Sequence, residues 1–189
     1  MRETLFWRIH DLLTQTYELH LNNHALGARI LLRSAVETLG ILIYLNQSIE
    51  AVVTGNQNFH DFSDLTSRLL LGSRDKSTNY QAISILSVLE KCEKTYTGIM
   101  GLYATLSESA HPNFYGLCFG YSKTDHENYV SEYSNYMTSL YADKLVPGVE
   151  LCMLVFDHEY NTVWPKQFEQ LEVWIANNDE MLEATKNGV

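Results

Sequence analysis

The sequence predicts an all-α fold, an antiparallel four-helix-type bundle with a short hairpin or extended loop before the last long helix. Three features predict it. Apolar residues recur at helical spacing over most of the chain, the 189 residues contain only 3 Pro and 10 Gly, and the one segment that alternates rather than cycles lies between residues 114 and 137. A chain of this length with 46% hydrophobic residues buries one sizeable core, and neither a linker nor a fixed-period repeat divides it, so residues 1–189 read as a single domain.

The first helix spans residues 3–22, where Leu5, Ile9, Leu12, Leu13, Thr16 and His20 share a face. A longer one follows over 25–53. Its apolar positions (Ile30, Leu31, Ala35, Val36, Leu39, Leu42, Ile43, Ile49, Val52) cover more than one face, which marks a central and largely buried helix. A shorter helix occupies 60–71, "GSRDKSTN" is a polar loop, and residues 80–111 are expected to run as one helix through Ile85, Leu89, Cys92, Tyr96, Ile99, Tyr103 and Leu106. Beyond Pro112 the aromatic stretch "NFYGLCFGYSKTDHENYVSEYSNY" is expected to form an extended excursion or a hairpin turning at "KTDHEN". The last long helix is expected to start near Asp143, with Pro147 in its first turn. A separate short helix is expected to begin at Pro165, followed by a polar tail.

Composition narrows the function classes. Cys92, Cys118 and Cys152 are odd in number and widely spaced, so they predict small buried hydrophobes and a reducing compartment rather than a disulfide framework. The amphipathic N-terminus "MRETLFWRIHDLL" lacks a signal peptide's apolar run, and "LGILIYL" is too short to span a bilayer. A cytoplasmic protein with no membrane partner is expected. The net charge of −10 disfavours a polyanion partner, but residues 1–123 carry 10 basic and 11 acidic side chains against 3 and 12 in residues 124–189, and all six arginines lie at or before Arg74. A local basic pocket in the N-terminal part is compatible with that distribution.

Two polar stripes stand out on otherwise apolar helices. Arg29, Arg33 and Glu37 are spaced i, i+4, i+8. Either Arg33 pairs with Glu37 to fix helix register or the stripe faces water, or else Arg29 or Arg33 lines a cleft and meets an anion, which the guanidinium fork suits. Tyr103, Ser107 and His111 have the same spacing in "LYATLSESAHPN". Proline pushes the residue before it out of the helical region, so His111 is expected at the helix end, either bonding the last carbonyls and anchoring the loop or serving a site. His20 and His24 have metal-compatible spacing without an evident third ligand, and His158–Glu159 lacks the second histidine of a zinc-protease helix. No metal and no cofactor are expected. The aromatics of 114–141 suit either base stacking or packing back onto the bundle.

The segments "ARILLRSAVETLGILIYL" and "LYATLSESAHPNFYG" together make the chain resemble a HEPN-like helical bundle, in the uncharacterised bacterial branch with an R-S-x-x-E helix and an L-S-x-x-x-H-P segment. The resemblance implies a homodimer, and many such domains are metal-independent endoribonucleases of toxin–antitoxin or antiviral defence systems, so RNA or a nucleotide, and an antitoxin or other partner protein, are the partners it implies. His111 matches the family histidine, but the usual Arg-x4-6-His signature is incomplete, because the nearest arginine upstream is Arg74. On the catalytic expectation Arg33 or Arg29 supplies the charge that stabilises a phosphorane-like transition state and His111 handles a proton, while Tyr103, Ser107 and Asn113 orient phosphate beside Glu37. On the alternative expectation the same fold is a non-catalytic binding or interaction module.

Overall fold

The computed structural model describes residues 1–185, and these are mainly helical. In chain order they form α1 (Arg2–Leu21), α2 (Ala25–Val53), α3 (Phe59–Leu71), α4 (Ile85–Cys92), α5 (Ile99–Ala110), a π-helical segment (Phe114–Phe119), β1 (Ser122–Asp125), β2 (Val130–Tyr133), α6 (Met137–His158), a second π-helical segment (Glu159–Val163) and α7 (Trp164–Thr185). Helix α2 is the axis of the molecule, packing against α1, α3, α4, α5, α6 and α7. Its apolar breadth is the reason: Ala28, Leu32, Ala35, Val36, Leu39, Leu42, Ile43, Ile49 and Val52 are all buried. The main core joins the residues from Ala28 to Ile43 to Leu5, Ile9, Leu12 and Leu13 of α1, Val88 and Leu89 of α4, Tyr103 and Leu106 of α5, and Leu145, Val149 and Phe156 of α6, while Ile49 and Val52 belong to a second cluster. Ile30, by contrast, is exposed.

The run expected as one helix over 80–111 starts only at Ile85, after the N-cap Ser84, and is then broken. Residues 93–98 leave the helix in "EKTYTG", where Gly98 takes a φ of 101°, a left-handed conformation open to glycine. The Glu93 carboxylate then accepts N–H bonds from Met100 (2.9 Å) and Gly98 (2.8 Å), capping the restarted helix. Those two donors hold its carboxyl below the usual carboxylate range.

The hairpin expectation is met only in part of the stretch, by two antiparallel strands registered Ser122↔Tyr133 to Asp125↔Val130, whereas Phe114–Phe119, expected as extended chain, is π-helical. Asp125 Oδ1 accepts from the N–H groups of Glu127 and Asn128 and so builds the turn.

Two expectations near the C-terminus are corrected. Helix α6 starts at Met137 rather than near Asp143, and Pro147 lies inside it. Asn135 Oδ1 accepts from Met137 N (3.0 Å), while Met137 and Tyr141 pack with Ala25 in a small core of their own, so the first turn has both a cap and a buried face. Pro147 is exposed, where water can serve the carbonyl its missing N–H leaves free. The segment expected as a short helix with a polar tail is instead the 22-residue α7, joined to α6 through the π turn without an intervening loop. Pro165 is its second residue, where the absent N–H costs little. Leu171, Trp174 and Ile175 seat α7 on Leu45, Ile49 and Phe62. Among the described residues no helix is long and apolar enough to cross a membrane.

Cys92 and Cys152 are buried and Cys118 is exposed. Burial pushes both inner thiols up to about 12 from 9.0. In the native protein at pH 8 an alkylating reagent should therefore modify Cys118 quickly and Cys92 and Cys152 only after unfolding, as intact-mass spectrometry would read. A thiol harder to ionise when folded leaves stability untouched below its unfolded value, so urea unfolding should show these two cysteines lowering stability as pH rises from 9 toward 12.

Candidate functional site

The two stripes meet where α2 packs against α5. Arg29 is only 2% exposed. Its Nε donates to Ser109 Oγ (2.7 Å), its Nη2 donates to the Thr105 carbonyl (2.7 Å), and its guanidinium lies 4.0 Å from the centre of the Tyr141 ring on α6. The aromatic face and two acceptors take the place of a counter-ion, for Arg29 makes no ion pair among the described residues. Desolvation lowers its pKa from the ordinary arginine value.

One turn further along, Arg33 Nη2 donates to the Tyr103 hydroxyl (2.9 Å) and pairs with Glu37 Oε1 (3.3 Å), while its guanidinium sits 5.1 Å from the Tyr103 ring centre. Arg33 and Glu37 are partly exposed. Arg33 Nε and Ser107 Oγ are buried and meet no protein partner. This corner thus keeps one donor and one hydroxyl uncommitted beside a guanidinium already shared between a phenol and a carboxylate.

His111 is the C-cap of α5, with an extended backbone at φ −85° and ψ 146°, as its place before Pro112 predicts. Its N–H donates to the Ser107 carbonyl (3.1 Å), its own carbonyl accepts from Asn113 N (2.8 Å), and its side chain is exposed. Leaving the helix at this residue ends the face that Tyr103 and Ser107 share. Asn113 is spent on local structure: Oδ1 accepts from Gly116 N (3.0 Å) and Nδ2 donates to Glu108 Oε2 (2.6 Å). Gly116 must be glycine, since a Cβ there would collide with the His111 carbonyl. The tight turn throws Phe114, Tyr115 and Phe119 outward as three exposed rings in mutual contact, 5.5 to 6.4 Å between centres. The stretch 108–136 that carries these rings is acidic, with Glu108, Asp125, Glu127 and Glu132 against one lysine, Lys123.

Among the expected site residues, then, the fold brings Arg29, Arg33, Glu37, Tyr103 and Ser107 into the α2–α5 seam, whereas His111 and Asn113 belong to the turn beyond it. A second polar cluster had no motif to reveal it. Glu159 is buried at the start of the second π segment, and its carboxylate accepts from Asn46 Nδ2 (2.6 Å) and the Tyr96 hydroxyl (2.6 Å). Burial, and then the bond to Glu159, push the Tyr96 phenol upward. The available signal was Asn46 alone, an amide in the middle of the apolar run "LGILIYLNQSI". No group of three or more His, Cys, Asp or Glu among the described residues is placed to hold a metal.

No protein-family model, no curated protein and no solved structure matches this chain.

The two clusters predict different mutational costs. Arg29→Ala removes two charged-donor hydrogen bonds, a ring contact and buried volume, so it should lower stability by about 2–4 kcal/mol, whereas Arg33→Ala, at a half-open pair, should cost about 1 kcal/mol or less in urea unfolding. Glu159→Leu would leave the half-buried Tyr96 hydroxyl without its acceptor and Asn46 Nδ2 with only the Glu159 backbone carbonyl (3.2 Å), and should cost about 2–3 kcal/mol, with Glu159→Gln the milder change.

Proposed function

We propose that this chain is a non-catalytic interaction module built on a HEPN-like bundle, whose four main helices we assign to α1, α2, α5 and α6. The observation that carries this reading is the commitment of both arginines. Arg29 is buried against Ser109, Thr105 and Tyr141, and Arg33 is divided between Glu37 and Tyr103. Stabilising a phosphorane-like transition state needs a preorganised cation aimed at the developing charge, and these cations already stabilise the packing of α2. The acidic surroundings of the exposed aromatic turn point the same way, because a groove for single-stranded RNA pairs its stacking rings with positive charge. A protein partner fits such an end of the molecule better than a polyanion.

A second reading, a metal-independent endoribonuclease of a toxin–antitoxin or defence system, draws on two observations: the His111 imidazole is open to solvent at a helix terminus, and Arg33 Nε and Ser107 Oγ are unspent. Its geometry would require Arg33 to leave Glu37 when RNA binds. One experiment separates the readings. Purified protein is incubated in EDTA with a mixed single-stranded RNA pool, alongside His111→Ala and Arg33→Ala variants verified as folded. The interaction-module reading predicts intact RNA in all three reactions. Cleavage by the native protein that both variants lose would establish the ribonuclease instead.

A further inference from the structure

Helices α1 and α6 lie side by side, touching at one end through Phe6 and Phe156 (6.3 Å between ring centres), and the open groove along the pair has a volume of about 680 Å³. Phe6, Ile9 and Leu13 line one wall, Val149, Met153 and Phe156 the other. On each helix the lining recurs at spacings of three and four residues, from Phe6 to Tyr17 on α1 and from Val146 to Asp157 on α6, so the groove follows both axes for roughly 17 Å at the helical rise. That is the length of a three- to four-turn helix, and a helix laid in such a groove anchors through residues of the same spacing. The floor is apolar and the lip remains so: Met153 is 56% exposed and Tyr17 47%, and Trp7, 66% exposed, lies against Phe6 and His10. Isolated exposed apolar residues are ordinary, but a contiguous group beside a groove of this length marks a surface that another chain covers.

Charge decides what that chain is. The lining includes the carboxylates of Glu150 and Asp157, both exposed, and neither a lysine nor an arginine. Arg2, at the Tyr160 end, is occupied by the Tyr160 ring (3.7 Å) and Glu3 (3.4 Å). A second copy of this chain would bring no lysine or arginine from its own groove to meet Glu150 and Asp157, and each molecule carries a net charge of −10. We propose that the α1–α6 groove is a docking site for a basic amphipathic helix of a partner protein, its apolar face laid over Leu13 and Met153 beside the Phe6–Phe156 contact and its Lys and Arg side chains meeting Glu150 and Asp157. The site is separate from the α2–α5 seam and does not depend on whether RNA is cleaved.

The test uses the full chain and two synthetic peptides of about 18 residues with the same leucines at i, i+3, i+4 and i+7, one with a lysine/arginine polar face and one with a glutamate face. Calorimetry should show the basic peptide binding at least about tenfold more tightly than the acidic one, a gap of about 1.4 kcal/mol. Met153→Arg, at an exposed position, should weaken that binding at least tenfold without moving the thermal midpoint, and Glu150→Lys with Asp157→Lys should turn the preference toward the acidic peptide. Failure of the basic peptide to bind, equal binding of both peptides, or binding indifferent to Met153→Arg would overturn the proposal. So would a dimer in sedimentation that Met153→Arg dissociates, which would give the groove to a second copy.

Discussion

Burying a guanidinium without a carboxylate beside it is the constraint around which this molecule is arranged. Arg29 is anchored in α2, its hydrogen bonds go to α5, and the ring beneath it belongs to α6, so three helices separated widely in sequence are held by one side chain. A charged group taken out of water is tolerable only when its donors are satisfied and a polarisable face lies over it. The helices that supply those partners cannot slide without stranding the charge. Arg33 repeats the connection one turn away in a wetter setting, with Tyr103 across the seam and Glu37 on its own helix.

The far end of α2 is fixed by opposite chemistry. There the buried charge-bearing group is the Glu159 carboxyl, and its partners are Asn46 of α2 and Tyr96 from the turn between α4 and α5. Glu159 opens the π turn that carries α6 into α7, and a π turn is an irregularity that persists where a side chain must be aimed off the regular helical face. With an arginine knot near one end and a carboxyl knot near the other, the apolar face of α2 has little freedom of register. Leu32, Val36, Leu39, Leu42 and Ile43 between the knots supply the bulk of the burial, and the knots select which packing is adopted.

Much of this was legible in the sequence, and the exceptions have physical causes. Periodicity located α1, α2 and α3 to within a residue or two, because their termini coincide with asparagine and glycine breaks. It failed over 93–98, where a local carboxylate cap restarts the helix and the apolar spacing runs through the break undisturbed. It also failed at Pro147, since a proline suggests a first turn but an exposed position inside a longer helix satisfies the same chemistry. The Arg29–Arg33–Glu37 and Tyr103–Ser107 stripes could be seen as faces, yet only tertiary packing shows that Arg33 is spent on Tyr103 and Arg29 on Ser109, Thr105 and Tyr141, outside the second stripe. The Asn46–Glu159 contact joins residues 113 apart, and no spacing rule reaches that far.

The measurement closest to the central claim is a double-mutant cycle between Arg29→Met and Ser109→Ala, read by urea unfolding. If Arg29 is the strut that locks α2 to α5, the two changes should be coupled by about 1–2 kcal/mol, the scale of a buried hydrogen bond from a charged donor. Losses that simply add, to within about 0.3–0.5 kcal/mol, would contradict the account and return Arg29 to the groups free to meet a ligand.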